Sequence, residues 1–212
     1  MRALVTGAGS PIGAAVAHRL ADDGFDVTVA DPDPDAVATD LGATAVRLDL
    51  RDEVRVAQAM EGVHVLVNAT PVGPSSDAPN TPLEVWDDVF AVNARGTFLC
   101  CKHAINAMKL LGGGAIVNVA SIGALVGLEN HVAYCASHGA VVALTRALAV
   151  DHARDGIRVN AVCPGGIEEL ADRQPLRRLG TPEEVADAVI YLATAEYVTG
   201  AILTVDGGFT AT

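Results

Sequence analysis

Thr6-Gly7-Ala8-Gly9-Ser10-Pro11-Ile12-Gly13 follows the apolar run Ala3-Leu4-Val5 and opens a segment with helical apolar spacing. A glycine-rich turn between a strand and a helix brings backbone N–H groups to the positive helix end, where a pyrophosphate binds. Gly7, Ser10, Pro11, Ile12 and Gly13 are the candidate contacts of this turn. Pro11 suits a helix start sterically, but it removes one N–H donor and tightens the turn.

Downstream, apolar runs of strand length alternate with longer helical patterns, the signature of βα repetition and a parallel sheet covered on both faces. Strands are expected near Ala3-Thr6, Val27-Ala30, Ala45-Leu48, Val63-Asn68, Ala115-Ala120, Arg158-Val162 and Ala201-Val205. Helices are expected over about Ile12 to Asp22, Asp35 to Leu41, Glu53 to Met60, Pro82 to Leu111, His131 to Arg154 and Pro182 to Ala193. This predicts an α/β, doubly wound Rossmann fold with a seven-stranded parallel sheet and helices on both faces. Thr181-Pro182-Glu183-Glu184 starts the last helix with a hydroxyl cap, a proline in the first turn and acids near the positive dipole end. Two stretches read as loops. Thr70 to Thr81 is rich in proline and cannot continue a helix or a ladder, and Pro164 to Gly180 carries the chain to the last helix.

The chain has 212 residues, half of them apolar, enough for one α/β domain over residues 1–212. Its formal net charge of -12 disfavours nucleic acid and anionic membrane surfaces as partners. The sequence enters its first strand at once and no apolar run reads as a membrane span, so a cytoplasmic protein is expected. Cys100, Cys101, Cys135 and Cys163 form no C-x-x-C pair and have no zinc-like spacing with histidine; reduced buried thiols and no metal are expected.

Asp31, just past the second strand, is placed to accept hydrogen bonds from adenosine ribose hydroxyls. Its charge, with Asp33 and Asp35 close behind and no arginine nearby in sequence, opposes a 2′-phosphate, which favours NAD over NADP. Ser121 ends the run Ala115-Ile116-Val117-Asn118-Val119-Ala120. Tyr134 and His138 stand four apart in Tyr134-Cys135-Ala136-Ser137-His138, on one face of a predicted helix. A strand ending in a hydroxyl beside a helix carrying a phenol is a layout for moving protons.

These motifs together resemble the short-chain dehydrogenase/reductase family over nearly the whole chain. The resemblance implies catalysis by Ser121, Tyr134 and a lysine four residues after the tyrosine, where this sequence has His138. Asn93 matches the family asparagine that links that lysine to solvent through water and is expected to face the site; Lys102 and Lys109 fall on the opposite helical face. Asp49-Leu50 is similar to the family's adenine-contacting pair, and Asn68-Ala69-Thr70 resembles its Asn-Ala-Gly segment. Pro164-Gly165-Gly166-Ile167 resembles the Pro-Gly turn over the nicotinamide, although Glu168 and Glu169 follow where relatives carry a threonine. Val205-Asp206-Gly207-Gly208 is another family mark.

A lysine near the phenol is worth on the order of 4 kcal/mol at an effective dielectric of about 20, enough to move a tyrosine toward neutrality. Histidine is shorter and mostly neutral at pH 7 to 8 by its usual pKa of about 6.5. The substrate loop, around 166–180, is short and charged. The resemblance implies an NAD(H)-dependent oxidoreductase that interconverts a secondary alcohol and a ketone. It also implies a small-molecule substrate and a homodimer or homotetramer packed through the weakly charged His131 to Val150 helix and Pro82 to Leu111. A non-redox cyclase, dehydratase or isomerase built on the same residues, and a catalytically impaired dinucleotide-binding member, stay open.

Overall fold

Strand β1, Arg2–Thr6, pairs in parallel with β2, Asp26–Asp31, on one side and with β4, Val65–Asn68, on the other. The computed structural model, which describes residues 1–70, 72–166 and 174–211, extends this nucleus in both directions. Strand β3, Thr44–Arg47, lies beyond β2; β5, Gly114–Val119, β6, Ile157–Pro164, and β7, Ile202–Val205, follow β4. The order is β3-β2-β1-β4-β5-β6-β7, all parallel, with the winding reversing between β1 and β4. The sheet is the expected doubly wound one, and such sheets bind ligands at the carboxyl ends of the strands beside that reversal.

Within β1, Val5 joins the core cluster formed with α1, Pro11–Asp22, α2, Asp35–Leu41, and α7, Pro182–Thr194. Leu4 faces the other layer, with α3, Glu53–Ala59, α5, Thr97–Leu111, and α6, Val132–His152. A strand with successive side chains buried in two cores needs apolar residues at both phases. Element ends agree with the sequence reading to within about two residues, and Thr181 and Glu184 form the anticipated capping box on α7.

The long helix anticipated over Pro82 to Leu111 is not one α-helix. Its first part is α4, Leu83–Val89; Phe90–Gly96 is π-helical before α5 begins. The cause lies outside the helix: the buried Asn93 side chain is held by the backbone of Val72 and by Ser137. Gly96 also lies against Leu50, where a Cβ would come within 2.7 Å of the leucine Cβ. Wide turns of this kind concentrate at functional sites. Residues 72–81 are more structured than the loop anticipated over Thr70 to Thr81, with a parallel bridge from Ser76 to His131 and a 3-10 turn over Ala78–Asn80 capped by Asp77.

Contrary to the sequence expectation, one segment, Val132–Asp155, has the length and hydropathy of a membrane span. Its Ala133, Val141, Val142 and Ala149 are buried, and Ser137, His138 and Thr145 are buried with them, so it is the core helix of the domain. Cys100, Cys101 and Cys163 are buried free thiols as expected, whereas Cys135 is half-exposed.

Candidate active site

The glycine turn is built for close approach. Gly7 has φ of 68°, and a Cβ there would stand 2.3 Å from Ala69 O; one on Gly13 would stand 2.1 Å from Gly7 O. The turn therefore packs directly on the chain leaving β4, where Ala69 N–H donates to Thr6 O. Ser10 caps α1, accepting from Gly13 N–H at 3.0 Å and donating to Gly7 O at 2.8 Å, with Pro11 in the first turn. A cavity of about 290 Å³ opens beside it, lined among others by Ser10, Pro11, Ile12, Ala69, Gly165 and Thr181. The cradle too tight for a Cβ, the helix start and the cavity fit a dinucleotide.

Asp31 ends β2 half-exposed beside the glycine turn. Its carboxylate accepts from Gly9 N–H at 3.1 Å and from Asp33 N–H at 2.9 Å. The arginine missing from its sequence neighbourhood is present in space: Arg47 pairs in register with Asp31 across β2 and β3. Asp49 is exposed and accepts from Arg51 N–H, but Leu50 is buried against Gly96, so the two residues of the anticipated adenine pair stand in different environments. Asn68 points inward: its amide donates to Asn118 at 2.9 Å and lies near Cys101, a buried brace beneath the cleft. Thr70 leaves a buried hydroxyl without a partner. Pro164 closes β6, and Gly165 bonds Val205 O so tightly that a Cβ would lie 2.8 Å from Asp206 Cα. Ile167 lies outside the described residues.

Past the carboxyl end of β5, Ser121 is buried, its hydroxyl accepting from Gly123 N–H at 3.1 Å. Tyr134 stands in the first turns of α6. Burial raises its phenol above the ordinary tyrosine range, and a hydrogen bond with Ser121 offsets part of that rise. Its ring meets His138 edge-on at 4.3 Å and His131 at 6.0 Å. His138 is 2% exposed, and neither ring nitrogen has a hydrogen-bond partner. Burial pushes it down to about 4, so the imidazole is neutral at physiological pH. Lys102 and Lys109 do not approach; they pair with Glu53 at 2.7 Å and Asp155 at 2.9 Å. The neighbouring Cys163 thiol, pushed up to about 11 by burial, contributes no charge at neutral pH either.

Asn93 is buried near these groups, and its side chain is bonded to protein partners. The amide donates to Val72 O at 2.7 Å and Ser137 Oγ at 3.0 Å, and its oxygen accepts from Val72 N–H at 2.9 Å. The asparagine thus ties the 72–81 segment to α6. That segment is a strap over Tyr134. Gly73 lies so close that a Cβ would be 3.1 Å from the tyrosine ring, and Ser75 and Ser76 bond the carbonyl of Asn130. Gly73, Ser76, His131 and Ser137 carry no spacing signal in the sequence; the proline-rich composition around Gly73 marked only a loop.

A doubly wound parallel sheet with a glycine cradle, an acid at the end of β2 and a Ser-Tyr pair at the end of β5 defines a dinucleotide-binding α/β protein. Residues 7–210 match a family model described as enoyl-(acyl carrier protein) reductase. Cis-4-hydroxycyclohexanecarboxylate dehydrogenase of Sinomonas cyclohexanicum is 41% identical over 239 aligned positions, covering 99% of this chain and 96% of its own. A protein of Xanthobacter autotrophicus named inactive 2-(S)-hydroxypropyl-CoM dehydrogenase 2 is 40% identical, covering 82% of this chain and 89% of its own. The crystal structure of a short-chain type dehydrogenase/reductase from Mycobacterium marinum superposes with a TM-score of 0.95 at 33% identity, covering all of this chain and 95% of that one. The chain belongs to the short-chain dehydrogenase/reductase family, a family of oxidoreductases that use nicotinamide dinucleotides.

Proposed function

We propose that the protein interconverts a secondary alcohol and a ketone on a small molecule, with NAD(H) as the hydride carrier. The observation that carries this reading is the Tyr134 phenol beside the Ser121 hydroxyl just past the carboxyl end of β5, on the sheet whose β1 runs into the Gly7–Gly13 cradle. The dinucleotide, when bound, supplies or accepts the hydride. Ser121 holds the substrate oxygen, and Tyr134 gives it a proton in reduction or takes one in oxidation. The strap and Asn93 fix the phenol against that oxygen. His138 provides a neutral imidazole where the family has a cation, so the phenol works without a nearby positive side chain among the described residues.

Preference for NAD is supported by Asp31, whose carboxylate faces the adenosine end and would repel a 2′-phosphate. A cyclic or branched secondary alcohol is the first substrate class to screen, in keeping with the hydroxycyclohexane carboxylate named for the relative. The chain is read as one domain with a shortened substrate loop; an alignment of 239 positions against 212 residues leaves gaps on this side. A homodimer or homotetramer over α5 and α6 is supported by exposed Phe98 and Val150 on those helices. A cytoplasmic setting accords with four free cysteines.

A second reading, a member that binds dinucleotide without efficient turnover, or that uses Ser121 and Tyr134 for proton transfer alone, is favoured by the uncharged, unpartnered His138. Titration with NADH and NADPH, followed by a screen of ketones at the NADH absorbance, separates these. NADH binding with ketone-dependent oxidation supports the redox reading. Tight NADH binding with no turnover on any ketone supports the second, and failure to bind either nucleotide removes the cofactor assignment.

A further inference from the structure

Arg47 closes β3 in register with Asp31 at the end of β2. Neighbouring strands lie about 4.8 Å apart, so a guanidinium on its long stem reaches the space over the Asp31 carboxylate. An adenosine 2′ substituent would stand there once Asp31 takes the ribose hydroxyls. The guanidinium is drawn aside instead. Its Nη1 donates to Pro32 O at 3.1 Å, and its Nη2 is shared between Asp33, at 3.3 Å, and Asp35. Asp33 is itself pinned by its N–H to the Asp31 carboxylate. Three carboxylates and one guanidinium thus share a small exposed surface, which stays negative.

We propose that Arg47 is a latent receptor for a 2′-phosphate, held out of use by Asp33 and Asp35, so that discrimination against the phosphorylated dinucleotide belongs to the whole cluster and not to Asp31 alone. The inference rests on the dinucleotide reading above and adds what sets its specificity. A guanidinium fork matches a phosphate in two-point geometry, but here it must first leave two carboxylates and then meet their repulsion of the incoming dianion. Both ion pairs are exposed, with side chains more than half accessible. Exposed pairs of this kind are individually weak, so two substitutions are enough to release the arginine.

The test is fluorescence titration with NADH and NADPH at one low ionic strength, since these exposed charges are screened by salt. Four proteins are compared: the unaltered chain, D33N/D35N, R47Q, and the combined triple variant, each checked for an unchanged thermal melt. Freeing Arg47 in D33N/D35N is expected to raise NADPH affinity about tenfold, with NADH affinity held within about threefold. Arg47→Gln alone should change NADPH affinity by less than about twofold, yet in the triple variant it should cancel the gain. A gain that survives Arg47→Gln reports plain removal of charge and overturns the proposal, as does no gain at all. If the unaltered protein prefers NADH but shows no Arg47-dependent gain, the NAD reading stands and this one falls. An unaltered protein that binds neither nucleotide removes both.

Discussion

The two ends of the cleft differ in how completely their polar groups are satisfied. At the proposed adenosine end, Ser10 caps α1, Asp31 accepts from two backbone amides, and Arg47 is shared among carboxylates. At the proposed catalytic end, both nitrogens of His138 are buried without partners. A buried polar group left unpaired costs about 1–3 kcal/mol, so such groups persist where function or an incoming ligand compensates. One end is closed chemistry, specifying what binds; the other is open chemistry, waiting for groups the chain does not supply.

The sharpest way to break this contrast is Tyr134→Phe, which removes the proposed proton donor and leaves the proposed adenosine end intact. Turnover should fall by about a thousandfold with NADH affinity little changed. Retained ketone reduction would place the proton elsewhere.

Next in size is the stability that His138 contributes as pH varies. Its native value is about 4, against about 6.5 for the unfolded chain. Between those limits the unfolded state binds a proton that the native state refuses. Stability should therefore be full above about pH 6.5 and fall by about 3 kcal/mol as pH drops toward 4. His138→Leu should flatten that slope in urea unfolding measured across the range. Equal slopes in the two proteins would mean that the imidazole is not buried neutral.

His138→Lys sharpens the same point in the other direction. With the phenol raised by burial, alcohol oxidation should climb steadily with pH through the neutral range, while ketone reduction stays level until the phenol ionises. A lysine should move the rise to lower pH and increase oxidation near pH 7 by about tenfold or more. A pH profile identical in both proteins would show that position 138 does not control the phenol.

The smallest expected effect concerns the strap. Gly73→Ala places a methyl 3.1 Å from the Tyr134 ring, which has to shift by tenths of an ångström. A fall in kcat of about threefold to tenfold, with NADH affinity constant, is expected. A change in NADH affinity alone would assign Gly73 to the nucleotide instead.

Much of the fold was legible because strand and helix periods differ and the βα alternation repeats without interruption. The break at Phe90–Gly96 was not legible: Asn93 reads as an ordinary helical residue until Val72 and Ser137 are brought to its amide. Asn68 misleads in the same way, since its position beside Ala69 and Thr70 marks the cleft while its side chain braces Asn118 below. Arg47 was invisible as a neighbour of Asp31 because strand pairing, not chain proximity, joins them.

By itself the sequence determined the doubly wound sheet, the glycine turn, the acid at the end of β2 and the histidine four residues after Tyr134, because each is local pattern or residue identity. Only the tertiary structure decided that His138 is buried, neutral and unpartnered, that the Asn93 side chain bonds the strap, and that Arg47 is captured by Asp33 and Asp35. Burial, desolvation and pairing across strands are properties of what surrounds a side chain, and those surroundings come from residues far away in the chain.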